Sequence, residues 1–265
     1  SADFRQAQIT SNINDIRVWR DSADAAPAKD LAALIAELGL SGKTIGWETA
    51  TQGLTHGNGA AVAAELPGLV EASDLMGKLR LIKSDAELAY VRRAAELSDA
   101  AWDAAASAAG GGADEGVILG AMHEANFRGG GDYAGNEFII GSGENALLCR
   151  YRSGRRVMDP NDQLTLEWAG AYRHYHSANM KTMFVGSPRE MHRRYHDAAA
   201  DALAACETAL VPGNTMGQVF EAHARTLDAA GLGDHRLNAC GYSLGPRFSP
   251  SWMEDQMFYS EAPTV

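Results

Sequence analysis

The sequence is poor in cysteine, has no long apolar run and shows no excess of positive charge. Its three cysteines, Cys149, Cys206 and Cys240, are odd in number and include no Cys-x-x-Cys pair. That pattern excludes a disulfide framework or a zinc knot and indicates reduced thiols. No stretch approaches the roughly 18 apolar residues of a membrane helix, and no signal-peptide pattern is seen.

The charge balance excludes a further class of partner. The chain carries 34 Asp and Glu against 23 Lys and Arg, a formal charge of −11. Nucleic acid requires a basic surface to match its phosphates, which this composition does not supply. We therefore expect a cytoplasmic enzyme with a small-molecule substrate and with no nucleic-acid or membrane partner.

Length and composition are those of a globular protein, with 265 residues of which 46% are hydrophobic and 22% charged. The first part of the chain alternates helical and strand patterns. We predict helices over residues 27–40 and 58–66 and strands over residues 44–48 and 68–75. This alternation indicates part of a small α/β domain, to which we assign residues 1–80.

A capping box marks the start of a second domain, residues 81–265. Ser84 can cap a helix while Glu87, three residues later, reaches back to it. Beyond that point the pattern predicts helices from Ser84 to about Ala109 and over about 114–127, 188–209 and 215–230, with Pro188 in the first turn of the third. It also predicts a strand over 136–141, a hairpin over 164–182 and a strand region over 240–245. Because Ser1 replaces an initiator Met and Val265 ends what reads as mid-structure, we expect a fragment of a longer protein.

The hairpin carries an unusual set of side chains. Apolar residues frame one carboxylate, Glu167, together with His174 and His176 and with aromatic residues at Trp168, Tyr172 and Tyr175. Carboxylates and imidazoles are the groups that enzymes use for general acid–base work. The hairpin is therefore the first candidate for an active site.

From Leu81 to Val265 the order of elements resembles the carboxy-terminal domain of the creatinase, aminopeptidase P and prolidase ("pita-bread") family. Four segments carry the resemblance: the opening Leu81–Glu87, the hairpin, its exit Lys181–Gly186 and the turn Val211–Thr215. The resemblance implies an α+β fold, in which a pita-bread catalytic domain follows the remnant of a smaller α/β amino-terminal domain. It also implies a homodimer.

The resemblance breaks at the metal ligands. The family's peptidases hold two metal ions with two aspartates, one histidine and two glutamates. In register, the first aspartate falls on Trp168 with Glu167 one residue early, the second on Ala178 and the histidine on Tyr242; the glutamates would lie past Val265. Because a dinuclear centre needs several shared ligands, we expect no metal and no other cofactor. The glycine triplets at 110–112 and 129–131 lack a phosphate-loop context, which excludes nucleotide binding.

Within the family, the segments 135–143, 164–176 and 238–245 look most like ectoine hydrolases. This resemblance implies opening of the cyclic amidine ectoine to N-acetyl-diaminobutyrate. An amidine is cationic near neutral pH, so a carboxylate attracts it and can attack its carbon or activate water. We assign that role to Glu167, with His174 or His176 moving the proton. The alternatives are a salt-bridged Glu167 and a histidine pair that is only a polar edge.

Because side chains alternate between the two faces of a strand, the sequence predicts which hairpin residues share a face. If Ala178 faces the former metal cavity, His176, His174 and Tyr172 face it too, as Trp168 does on the partner strand. Glu167 then points outward unless a one-residue bulge turns it in.

The remaining candidates would bind substrate. Arg150 could hold a substrate carboxylate in two hydrogen bonds, or be a solvated surface arginine. Tyr242 could donate a hydrogen bond or offer its ring to a cation, although core packing is an alternative. Trp168, Trp252 and Tyr172 complete the predicted binding set, and for the two tryptophans core packing is again the alternative.

Three functions compete on this sequence. The first is a metal-independent cyclic amidine hydrolase, and the second a metal-dependent Xaa-Pro dipeptidase or aminopeptidase. The third is a binding module of the same fold without activity. The grouping of Glu167 with two histidines favours the first.

Overall fold

The computed structural model describes residues 2–18, 22–146 and 156–265, and for residues 255–257 the backbone only. The chain divides into two compact units, Ser1–Leu79 and Arg80–Val265. In the part of the chain that the structure describes, no helix is long and apolar enough to span a bilayer.

The first unit contains short elements in the predicted alternation. They are α1 (Ala2–Thr10), α2 (Pro27–Glu37), β1 (Ile45–Trp47), α3 (His56–Glu65), β2 (Leu69–Glu71) and the start of α4 (Leu75–Leu81). β1 and β2 pair in parallel, with α3 as the crossover between them. The strand predicted over 68–75 is shorter than expected because α4 already begins at Leu75.

The second unit opens with two packed helices, α5 (Asp85–Ala108) and α6 (Glu115–Arg128). The predicted capping box is present: the Ser84 side chain accepts from the Glu87 N–H, and the Glu87 carboxylate accepts from the Ser84 N–H. Asp114 caps α6 through the N–H groups of Gly116 and Val117. Both helix starts therefore follow from the sequence.

A three-stranded antiparallel sheet packs on these helices. Its strands are β3 (Ile139–Ser142), β4 (Asp162–Tyr172) and β5 (Tyr175–Val185), in the order β3-β4-β5. The β4–β5 hairpin turns through Arg173 and His174, whose φ angles are 51° and 64°. Positive φ at both central residues is the geometry of a type I′ turn, which fits the twist of the two strands.

A second helix pair and a two-stranded sheet follow. They are α7 (Glu190–Ala209), α8 (Met216–Ala229), β6 (Ala239–Leu244) and β7 (Met253–Tyr259), with β6 and β7 antiparallel. Thr215 and Gln218 form a capping box at the start of α8. The prediction that Pro188 lies in the first turn of α7 is wrong, since Arg189 is the capping residue and the helix begins at Glu190.

The main core lies between α5, α6 and the inner face of the sheet. Trp168 is fully buried there, stacks on Trp102 at 5.7 Å, and donates its indole N–H to the Ser98 carbonyl at 2.9 Å. Two residues along β4, Gly170 lets the strand approach α5 closely. A Cβ at this position would lie 2.0 Å from the Ala94 carbonyl oxygen and 2.5 Å from the Ser98 nitrogen.

We predict that Gly170→Ala lowers the free energy of unfolding by at least about 3 kcal/mol, because the new methyl group meets backbone that cannot move aside. Gly120→Ala, on the exposed side of α6 with no heavy atom within 4 Å of the new Cβ, is the matched control. It should raise stability by about 0.5–1 kcal/mol. Urea denaturation measures both; equal effects would contradict the close packing of β4 on α5.

Candidate active site

The hairpin register decides which side chains share a face. β4 and β5 pair without interruption from Asp162↔Val185 to Tyr172↔Tyr175, with Ala169 opposite Ala178 and Ala171 opposite His176. Residues directly opposite each other in an antiparallel pair lie on the same face. Glu167, two residues from Ala169, therefore shares the face of Ala178 and His176.

The predicted orientation of Glu167 and Trp168 is thus reversed. No bulge occurs in this hairpin, and the face of Ala178 receives Glu167 rather than Trp168. Trp168 lies in the core on the opposite face, so the prediction that it binds substrate is corrected. The prediction that Tyr172 binds substrate is corrected for the same reason. Tyr172 lies on the face of Trp168, with its ring 5.8 Å from that of Tyr90 on α5.

Glu167 has apolar neighbours on both sides. Its cross-strand partners are Ile139 on β3 and Met180 on β5, and Ala169 follows it on its own face. Ile139 is buried and Glu167 is half-buried. A carboxylate between apolar side chains acts through a lower dielectric constant than in water, so it attracts a cation more strongly.

Both ring nitrogens of His176 contact backbone groups. Nε2 accepts the Gly135 N–H at 2.9 Å, and Nδ1 lies 3.5 Å from the Gly245 carbonyl oxygen. Because Nε2 accepts, the ring proton belongs on Nδ1. Complete burial lowers the pKa of His176 below its usual value, which keeps the ring neutral. His176 therefore joins β5 to the segments at 135 and 245 and has no nitrogen left for proton transfer.

His174 lies elsewhere. It occupies the hairpin turn, is exposed, and donates its backbone N–H to Asp132 Oδ2 at 3.2 Å. Glu167 is separated from His176 by the four residues up to Ala171, a distance of about 13 Å along the strand, and lies further still from the turn. The predicted acid–base cluster of Glu167, His174 and His176 is thus not one group.

Tyr242 and Trp252 come together, with the Trp252 indole N–H donating to the Tyr242 hydroxyl oxygen at 2.9 Å. Trp252 is buried, so its contact with solvent is slight and core packing describes it better than substrate binding. Arg150, the predicted carboxylate binder, lies outside the described residues.

A buried ion pair beside these residues was missed by the sequence reasoning. Lys83 Nζ lies 3.1 Å from Glu254 Oε2, and both side chains are largely buried. The pair joins the chain ahead of α5 to β7, across 171 positions in sequence. Lys83 belongs to the opening motif that carried the family resemblance, but nothing local to it points to Glu254.

The described donors do not fit a dinuclear metal centre. Within residues 2–18, 22–146 and 156–265, no three His, Cys, Asp or Glu side chains come together as a metal-binding group. On the face of Ala178, the titratable side chains of β4 and β5 are Glu167 and His176, too far apart to share an ion. Two hydrolytic metals need several shared oxygen and nitrogen ligands.

We predict a pH-dependent contribution of His176 to stability. Below about pH 6.5 the unfolded chain binds a proton at this ring that the folded protein resists, so the advantage of His176 over a non-titrating residue shrinks as pH falls. His176→Gln keeps an acceptor for the Gly135 N–H. The difference in unfolding free energy between wild type and this variant should be larger at pH 8 than at pH 5.5, by urea denaturation at both values.

The surface variant His235→Gln controls for the change of side chain and should alter stability by less than about 0.5 kcal/mol. A pH-independent difference for His176→Gln would show that the folded state does not hold the ring neutral.

The chain is similar to proteins of one known family. The family model for metallopeptidase family M24 matches residues 89–260. An uncharacterized hydrolase/peptidase of Sinorhizobium fredii is 28% identical over 96% of this chain and 67% of its own length. The ectoine hydrolase of Halomonas elongata is 23% identical over 73% of this chain and 51% of its own length. The chain spans about half to two thirds of such curated relatives.

A solved Xaa-Pro dipeptidase from Bacillus anthracis has the same fold, with a TM-score of 0.84 and 22% identity, covering 98% of this chain and 70% of that one. The expected pita-bread architecture is confirmed. Because the family model covers well over half of the sequence, the chain belongs to metallopeptidase family M24.

Proposed function

We propose that this chain is part of a hydrolase that opens a small cyclic amidine, with ectoine as the first candidate, and that it does so without a resident metal. The observation that carries the proposal is the position of Glu167 on the same sheet face as Ala178. On β4 and β5 that face presents one carboxylate, Glu167, with Met180 and Ala169 on one side and the hydrogen-bonded Thr165 and Thr182 on the other. Such a surface suits a single positive charge carried by the substrate.

The positive charge of an amidinium substrate complements the negative charge of Glu167. Of the residues that flank Glu167, Ile139 on β3 is buried and Met180 on β5 is exposed. A cyclic amidinium carries one N–H on each ring nitrogen, on either side of the substituent at its central carbon, and a carboxylate accepts one of them in a charge-assisted hydrogen bond. The same contact therefore binds the substrate and orients its central carbon.

The reaction consumes one water. Its oxygen forms a bond to the amidine carbon, and the bond from that carbon to one ring nitrogen breaks. The carbon becomes the carbonyl of an acetamide, and the released nitrogen becomes an amine. The two protons lost by the water end on nitrogen, so that ectoine plus water gives N-acetyl-diaminobutyrate.

Among the described residues, Glu167 is the group on this face that can move the proton. As a base it takes a proton from the attacking water, and as the resulting acid it returns that proton to the leaving nitrogen. His176 takes no part in these proton transfers, because it lies about 13 Å along the strand from Glu167. Both of its ring nitrogens also face backbone groups of Gly135 and Gly245. The role of Arg150 as the partner of the substrate carboxylate stays a prediction.

The relative named ectoine hydrolase supports this proposal. The second candidate is a metal-dependent Xaa-Pro peptidase, which is favoured by the relatives that are named Xaa-Pro dipeptidase. It requires metal ligands beyond those that the described residues bring together. A binding module without activity is the third. The homodimer and the cytoplasmic location expected from the sequence stay predictions and belong to the first proposal.

We predict that full-length protein converts ectoine to N-acetyl-diaminobutyrate and that a chelator leaves the rate unchanged. Proton NMR follows the acetyl methyl signal with and without EDTA. Loss of activity on chelation, or turnover of an Xaa-Pro dipeptide instead, would support the second candidate. Binding of ectoine or a dipeptide without turnover of either would support the third.

Glu167→Gln should lower turnover by at least about a hundredfold, because the amide cannot act as a base, while the fold persists. The control is Glu207→Gln on the exposed side of α7, which should keep wild-type rates. Wild-type activity in the Glu167 variant removes this residue from the mechanism, whatever the substrate is.

A further inference from the structure

Aromatic side chains that would normally be buried are exposed together near the hairpin turn. Tyr133 is 82% exposed, Phe248 69% and Phe127 40%. Phe127 and Tyr133 line one cavity together with the exposed His174, on whose ring Phe248 packs. Exposed apolar side chains scattered singly need no explanation, but a cluster of rings marks a binding surface.

Three of the four rings, those of Phe127, Tyr133 and His174, line one cavity, and Phe248 packs on the ring of His174. Phe127 and Tyr133 pack edge to face at 4.9 Å and 68°, and His174 packs on Phe248 at 4.3 Å. The cavity beside them has a volume of about 350 Å³ and is lined by Phe127, Gly131, Asp132, Tyr133 and His174. We name this feature, the four rings with Asp132, the aromatic cup. Its volume is sufficient for a small ligand.

Backbone contacts fix the cup before any ligand arrives. The Asp132 N–H donates to the Ala171 carbonyl at 2.8 Å, and its carboxylate accepts the His174 N–H. The Arg247 N–H donates to the His174 carbonyl at 3.0 Å, which holds the segment of Phe248 against the turn. Little ordering is therefore required on binding, which favours affinity.

The chemistry of the cup selects a cation. Aromatic faces attract positive charge through their quadrupole, and a carboxylate beside them adds a full negative charge. Arg128, next to Phe127 in the chain, is held in an ion pair by Glu124. The net charge of −11 adds a long-range attraction for cations.

We propose that the aromatic cup binds a small organic cation of the methylated ammonium class. Its methyl groups would pack on Phe127, Tyr133 and His174, with the charge beside Asp132. The cup lies at the turn, at least five residues along β4 from Glu167, or about 17 Å. It is a second site, and the proposal does not rest on the proposed function.

The test is titration of the full chain with choline by isothermal calorimetry. Saturable binding at one site per chain is expected. The uncharged analogue 3,3-dimethyl-1-butanol has the same shape and should bind at least about tenfold more weakly. Equal binding of the two compounds would overturn the proposal, as would a failure of choline to saturate.

Two variants locate the site. Asp132→Asn keeps an oxygen acceptor for the His174 N–H but removes the charge, and Tyr133→Ala removes one wall. Each should weaken choline binding by about tenfold. The matched controls, Asp103→Asn on α5 and Tyr259→Ala on β7, change the same side-chain types away from the cup and should bind as wild type does. Circular dichroism checks the fold, and unchanged affinity in both cup variants would exclude this location.

Discussion

The pairing of β4 with β5 is the constraint on which the rest of the candidate site depends. Two residues with positive φ, Arg173 and His174, close the hairpin, and eleven pairs follow from Tyr172↔Tyr175 to Asp162↔Val185. Trp168 locks this register from the core side through its stack on Trp102. A slip of one residue would move Trp168 to the open face and Glu167 into the core, at a cost in buried apolar area and in a buried charge.

Local signals in the sequence predicted the elements well, because helix starts depend on neighbouring residues. Ser84 with Glu87 predicted the start of α5 correctly, and the hairpin predicted over 164–182 corresponds to β4 and β5. The orientation of Glu167 could not be obtained in this way. Alternation assigns faces within one strand, but the offset between two strands is set by the turn and by packing on α5. Pairing Ala169 with Ala178 is a property of the folded hairpin.

The two histidines illustrate a related limit. Their spacing of two residues suggested a shared face and a shared role, yet His174 enters the turn with a positive φ and leaves the strand. His176 remains in β5 and bonds to Gly135, 41 positions away. Contacts at such separations also explain why the Lys83–Glu254 pair was missed. The two histidines predicted to act together are thus a buried residue of β5 and an exposed residue of the hairpin turn.

The position of Glu167 on the sheet face of Ala178 favours one chemistry over the other. A second carboxylate at position 178 would lie diagonally across from Glu167, within reach of a shared cation, and without that cation the two like charges would repel. Alanine at this position removes the repulsion and leaves one negative charge. One negative charge suits one positive charge, which an amidinium substrate carries with it. On the proposed function, the substrate therefore supplies the positive charge that a metal centre would otherwise provide, whereas the bond that a dipeptidase cleaves is neutral.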